Sequence, residues 1–212
     1  MVSQPGMSVA RFILDGTRVE VPLQDPTRTL LQYLREDLRR VGSKEGCAEG
    51  DCGACTVVVA ELCAEGLQYR AVNACIQFLP TLDGKALFTV ESLRADDGRL
   101  HPVQQSMVDY HGSQCGFCTP GFVMSMFALY HNNLAPTRAA IDDALSGNLC
   151  RCTGYRPIIE ACQHMYDYPR VTLDDATLAA QLRDLKRGSG LSLELGAVQY
   201  HSPTPVAELS AP

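Results

Sequence analysis

The sequence contains no run of lysines and arginines and no basic tail, and its formal net charge is −6. Without a positive surface to meet phosphates, nucleic acid is not an expected partner. Nor does the chain reach the roughly 18 uninterrupted apolar residues that a membrane-spanning helix needs. Its opening, MVSQPGMSVARF, lacks the basic and apolar regions of a secretory signal. These absences predict a cytoplasmic protein without a membrane span. Met7 is an alternative start, because patterned sequence begins just after it. There is no internal repeat.

Cysteine is what the sequence has in quantity. Ten cysteines lie among 212 residues, in a composition of 46% apolar and 20% charged residues that is ordinary for a globular protein. In a reducing compartment that number points to metal binding rather than disulfides. The length allows two small domains with their own cores.

Val9 to Leu14 reads as a strand, Asp15-Gly16 as a hairpin turn and Arg18 to Pro22 as the returning strand. A helix is expected next, with Thr27 as N-cap and Leu30, Leu31, Leu34 and Leu38 on one face. Gly42 to Cys55 has no periodicity and reads as loop. Thr56 to Ala60 is a β-branched run suited to a buried strand. The first unit is therefore a small α+β domain over residues 1–91. The second, residues 92–166, contains four helix candidates: Pro102–His111, Pro120–Asn132, Thr137–Ser146 and Arg156–Tyr166. Thr119 and Thr137 are expected as N-caps, with Pro120 at the first helical position. Residues 167–212 hold no cysteine and form a separate tail.

Eight of the ten cysteines fall into two sets of four. Cys47, Cys52 and Cys55 with the distant Cys75 give C-x4-C-x2-C plus one, the plant-type ferredoxin spacing for a [2Fe–2S] cluster. Gly46, Gly50 and Gly53 let the loop backbone curl so that N–H groups face sulfur. A four-residue gap between the first two ligands fits zinc knuckles poorly. Cys115 and Cys118, then Cys150 and Cys152, form the second set. Here C-x2-C with C-x-C leaves zinc open on spacing alone. Both pairs precede helices, whose positive N-termini suit an anionic cluster. Cys63 and Cys162 fall outside both patterns and read as packed small hydrophobes.

Four strings carry a resemblance: GCAEGDCGACTVVV at residues 46–59, NAC at 73–75, HGSQCGFCTPGFVMSM at 111–126 and GNLCRCTGYRPI at 147–158. They resemble the iron–sulfur part of the xanthine dehydrogenase family of molybdenum hydroxylases, and look closest to its bacterial small subunits. The resemblance implies an α+β fold: an N-terminal β-grasp plant-type ferredoxin domain, a four-helix [2Fe–2S] domain and a C-terminal linker. It implies two [2Fe–2S] clusters, with molybdopterin and FAD on partner chains or domains. Electrons would pass from a molybdopterin-binding large subunit through the second cluster, then the first, to an FAD-binding domain or subunit and NAD. Gln114 would then bond the pterin and Cys152 would be the thiol nearest it. Read without the family, Gln114 is a polar residue bonded to nearby backbone. Arg151 either offsets cluster charge or is an ordinary solvated arginine.

The resemblance further implies a hetero-oligomer acting on xanthine or hypoxanthine. Relatives acting on aldehydes, nicotinate-like heterocycles or carbon monoxide keep the relay with shorter iron–sulfur subunits. A free ferredoxin carrier would need one cluster domain, and a zinc-bound interaction module would be colourless. Gln199 to Leu209 looks like the opening of a flavin domain. Between Asp167 and Gly190, Leu173, Leu178, Leu182 and Leu185 predict a helix whose apolar side packs on a partner subunit.

Overall fold

The computed structural model describes residues 9–188, 190–195, 198–203 and 206–209. Met7 and part of the segment read as a flavin-domain opening lie outside them. Strand β1 (Val9–Leu14) turns at Asp15-Gly16 into β2 (Thr17–Pro22), and the register closes on Leu14 opposite Thr17. Both turn residues have positive φ, 49° and 82°, the conformation a two-residue hairpin of this twist requires. The Asp15 carboxylate also accepts from Thr89 N–H at 2.8 Å and from the Ser92 hydroxyl at 2.7 Å. It thereby fixes the hairpin to the chain segment that leaves the sheet.

The first helix, α1 (Leu30–Gln32), continues as a π-helical turn over Tyr33–Asp37. Its cap is Thr29, not Thr27. Thr29 accepts from Gln32 N–H, and the Gln32 side chain returns a bond to Thr29 N–H, a complete capping box. Thr27 instead donates twice to Asp25, in a local turn just upstream. Strands β3 (Thr56–Cys63), β4 (Gly66–Asn73) and β5 (Ala86–Phe88) complete a sheet of order β2-β1-β5-β3-β4. The β1–β5 pair is parallel and the other pairs are antiparallel. A mixed sheet holding one helix on a face is the β-grasp arrangement.

Both faces of this sheet are buried, which explains the run Thr56-Val57-Val58-Val59-Ala60. Val57 and Val59 join Phe12, Leu87, Leu30 and Leu34 on the α1 side. Val58 and Ala60 join Ile13, Phe88 and the helices of the second half. Those helices are α2 (Pro102–Asp109), α3 (Thr119–Asn132), α4 (Arg138–Leu145) and α5 (Arg156–His164). Thr137 caps α4 as expected, accepting from Ala140 N–H at 3.2 Å. The cap of α3 is Cys118 rather than Thr119, whose hydroxyl donates to Ser113. Helix α3 lies across the sheet through Phe122, Val123, Met126 and Phe127, so one core serves both halves. Its last turn reaches the sheet edge, where Asn132 pairs with both the N–H and the C=O of Tyr69.

The tail corrects an expectation. Helix α6 (Asp175–Leu185) forms, but its apolar side packs on this chain's own sheet. Leu178, Leu182 and Leu185 belong to the core shared by sheet and helices. The hairpin of β6 (Leu191–Leu195) and β7 (Val198–Ser202) follows, and Leu191 and Leu193 are buried with the α1 side of the sheet. No helix among the described residues is long and apolar enough to cross a membrane.

Candidate metal centres

The loop between α1 and β3 carries Cys47, Cys52 and Cys55, and Cys75 lies just beyond β4. Ala74 N–H donates to Cys55 O at 3.4 Å, while Ala74 O accepts from Leu31 N–H at 2.9 Å. The fourth cysteine is thereby tied to the third and to α1. Around Cys47 the loop turns its N–H groups inward: Asp51 and Cys52 point at Sγ from 3.4 and 3.3 Å. The N–H of Glu49 and those two donors bring the Cys47 thiol down to about 6. Burial pushes Cys55 the other way, up to about 12.

The three loop glycines do different work. Gly50 and Gly53 have φ of +84° and +70°, which L side chains rarely adopt. Gly46 has no such angle. It is needed for room, because a Cβ there would lie 2.8 Å from Cys52 Sγ.

In the second half, Cys115 and Cys118 lie on the turn entering α3, and Cys150 and Cys152 on the loop before α5. The N–H of Phe117 and the neighbouring Cys152 thiol lower Cys115, whereas burial pushes Cys118 up to about 12. Burial opposes ionisation of Cys150, yet the Thr153 hydroxyl, 3.1 Å from its sulfur, helps hold it below the usual thiol range. Cys150 N–H donates to the Tyr155 hydroxyl at 3.0 Å, which shapes the loop from the far side. Each set thus mixes readily ionised thiols with protonated ones, whose protons a bound metal would displace.

Within each set the thiols affect one another's ionisation: Cys52 acts on Cys47, Cys75 and Cys52 on Cys55, Cys150 and Cys115 on Cys118, and Cys152 and Cys150 on Cys115. A two-iron cluster takes two thiolates at each iron, and four neighbouring thiols in each set suit it. Cys162 is fully buried in the core, as expected of a small hydrophobe. Cys63 is not so packed: it ends β3, half-exposed, with its sulfur 3.7 Å from Gln68 Oε1. Gln114, Arg151, Cys115 and Cys152 are all exposed at one edge of the second site.

Sequence reasoning missed how the two sites touch. Leu149 N–H donates to Cys52 O at 3.0 Å, and the Asn148 amide donates to Gly53 O at 3.0 Å. The Phe117 ring lies against Gly46. Asn148 is buried, which no local sequence pattern announces.

Residues 12–78 match the family described as 2Fe-2S iron-sulfur cluster binding domain, and residues 89–163 the one described as [2Fe-2S] binding domain. Aldehyde oxidase 1 of Oryctolagus cuniculus is 50% identical over 71% of this chain. Xanthine dehydrogenase of Drosophila subobscura is 49% identical over 74% of it. The chain spans only 11% and 12% of those two relatives. The structure of quinoline 2-oxidoreductase from Pseudomonas putida 86 aligns with a TM-score of 0.62 at 30% identity, covering 83% of this chain and 96% of that one. With two cysteine-lined sites in one fold and relatives of this kind, the chain belongs to the molybdenum hydroxylase family, as its electron-transferring 2Fe–2S part.

Proposed function

We propose that Cys47, Cys52, Cys55 and Cys75 hold one [2Fe–2S] cluster and Cys115, Cys118, Cys150 and Cys152 a second. The first would belong to a domain of residues 1–91 and the second to one of residues 92–166, with residues 167–212 leading towards a flavin domain. The observation that carries this reading is the gathering of two sets of four thiols on adjoining loops, with Asp51 and Cys52 N–H groups turned to Cys47 Sγ, Cys75 tied to Cys55 through Ala74 N–H, and Leu149 N–H joined to Cys52 O. When bound, such clusters supply one-electron carriers. The chain's own part is to hold them close together, donate N–H groups to sulfur and keep water from one side of each.

In this reading the chain relays electrons from a molybdopterin-binding large subunit to an FAD-binding domain or subunit and NAD, during oxidation of xanthine or hypoxanthine. Exposed apolar side chains flank each site and support partners there: Ile76 and Phe78 beside the first, Phe117, Leu149 and Tyr155 beside the second. Exposure of Gln114 and Cys152 supports a pterin contact at the second site. An aldehyde as substrate is the second reading, since the identity to an aldehyde oxidase, 50%, matches the 49% to a xanthine dehydrogenase. Purification with the partner subunits and assay on xanthine and on an aldehyde separate the two.

Iron and acid-labile sulfide are each expected at about four per chain, two for each site of this type. Cys75→Ser should lose the first cluster and about half of that iron, leaving the second recognisable by EPR. Cys63→Ser should keep all the iron. Cys162→Ser should also keep it but cost about 1–3 kcal/mol of stability, because a hydroxyl would replace a buried thiol. Equal iron loss in Cys63→Ser and Cys75→Ser would show the fourth thiol to be misassigned.

A further inference from the structure

We propose that Asn148 is a positioning residue that sets the separation and relative orientation of the two cluster sites. This rests on the two-cluster reading above. The side chain is 3% exposed and makes three hydrogen bonds, two of them across the boundary between the halves. Its amide nitrogen donates to Gly53 O at 3.0 Å and to Thr56 Oγ1 at 3.1 Å. Its carbonyl oxygen accepts from the Ser125 hydroxyl at 2.6 Å. Thr56 Oγ1 in turn donates to Gly53 O at 2.7 Å. Every polar atom of the amide's working face is thus engaged, in a buried setting where an unmade bond is costly.

The partners are what make this a positioning device. Gly53 lies between Cys52 and Cys55 of the first site, and Asn148 lies two residues before Cys150 of the second. Ser125 is on α3, whose N-cap is Cys118, and Thr56 opens β3 next to Cys55. One side chain therefore ties four segments, and each of them carries or adjoins a thiol. The backbone leaves no slack around it. A Cβ on Gly53 would collide with Gly147 O, and one on Gly121 would collide with Gly53 O. With those contacts closed, the Asn148 amide fixes how the two loops are turned against each other. The Leu149 N–H bond to Cys52 O depends on that setting.

A second asparagine supplies the control. Asn132 also crosses the boundary, pairing with the backbone of Tyr69, but it does so on β4, a strand that carries no thiol. Both Asn148→Ala and Asn132→Ala should loosen the interface, and only Asn148→Ala should change the geometry between the sites.

The test is EPR of the fully reduced, iron-replete chain, whose two S = 1/2 centres split each other's lines by dipolar coupling. Wild type should show the splitting. Asn148→Ala, with its iron content unchanged, should show narrowed splitting and heterogeneous lines. Asn132→Ala should keep the wild-type splitting while melting earlier. Where Asn148→Ala fails to fold, Ser125→Ala, which removes only the bond that aims the amide, should narrow the splitting to a smaller extent. Unchanged splitting in an iron-replete Asn148→Ala chain, or in Ser125→Ala if that is the variant that folds, overturns the proposal. Equal narrowing in Asn132→Ala overturns it too, since a loosened interface would then suffice. A wild-type chain with a single iron–sulfur signal would instead remove the two-cluster reading itself, before any variant is compared.

Discussion

Lowering the pH from 6.5 towards 4 is expected to destabilise the fold by about 5 kcal/mol, through the buried His101 and the half-buried His131. His101 caps α2, its Nδ1 accepting from Val103 N–H at 3.4 Å. His131 lies in the last turn of α3, and the two ring centres are 5.7 Å apart. Phe127 and Tyr130 pack edge-on against both rings. Among the described residues neither Nε2 atom has a hydrogen-bond partner. Burial above all, and then the nearby Arg170 guanidinium, lower both histidines to about 4; His101 is lowered further by His131 itself.

The sign follows from proton counts. Between pH 6.5 and 4 the unfolded chain binds protons at both rings and the folded chain does not, so stability falls as the pH falls. Each ring contributes at most about 3 kcal/mol over that window, and their mutual repulsion makes the sum smaller than twice one. His131→Phe should keep the aromatic packing and remove one unpartnered nitrogen. At pH 7 that change is expected to be neutral or stabilising, and it should halve the loss on acidification. Urea midpoints at pH 7.5 and 5.0 for both proteins measure it. The same pH slope in His131→Phe as in wild type would sink this account.

The histidine pair shows where sequence reading stops. Their positions were visible, but nothing local says that residues 101 and 131 share a pocket; the packing of α2 against α3 brings them together. The thiol sets were legible because their ligands lie close along the chain and their spacing is chemically restrictive. Only Cys75 had to be reached through a folded sheet. The Asp15-Gly16 turn was legible for a similar reason, since two residues with positive φ satisfy it alone. Choosing Thr27 over Thr29 as cap was avoidable, because Gln32 stands three residues after Thr29 and completes the box. The π-helical turn after α1 and the Asn148 contacts left no pattern, because both are set by packing between distant segments. The tail was half legible: the spacing of Leu178, Leu182 and Leu185 predicts a helix with an apolar side, but not the surface that covers it.

That surface leads to the second large effect: removal of residues 175–212 should unfold or aggregate the chain. Leu182 and Leu185 are 2% and 1% exposed, and Leu193 is 1% exposed. Each fully buried leucine contributes about 1.5–3 kcal/mol through apolar area withdrawn from water. Truncation also uncovers the residues beneath, so the loss approaches the whole stability of a domain this size. Polar bonds hold the register. Tyr69 OH donates to Asp175 at 2.5 Å, Arg18 pairs with Asp184 at 2.9 Å, and Arg187 forks onto Asp83 at 2.7 and 3.1 Å. The last also donates to Val9 O, which ties the tail to the first strand. Leu182→Ala alone should cost about 2–5 kcal/mol, at the lower end if neighbouring side chains close the gap. Limited proteolysis gives the sharpest reading. The exposed stretch from Pro169 to Thr172 has no helix or strand and should be nicked. The two fragments should still elute together on gel filtration and part only in denaturant. If the C-terminal fragment separates under native conditions, the tail does not belong to this chain's core, and a partner subunit becomes its resting place after all.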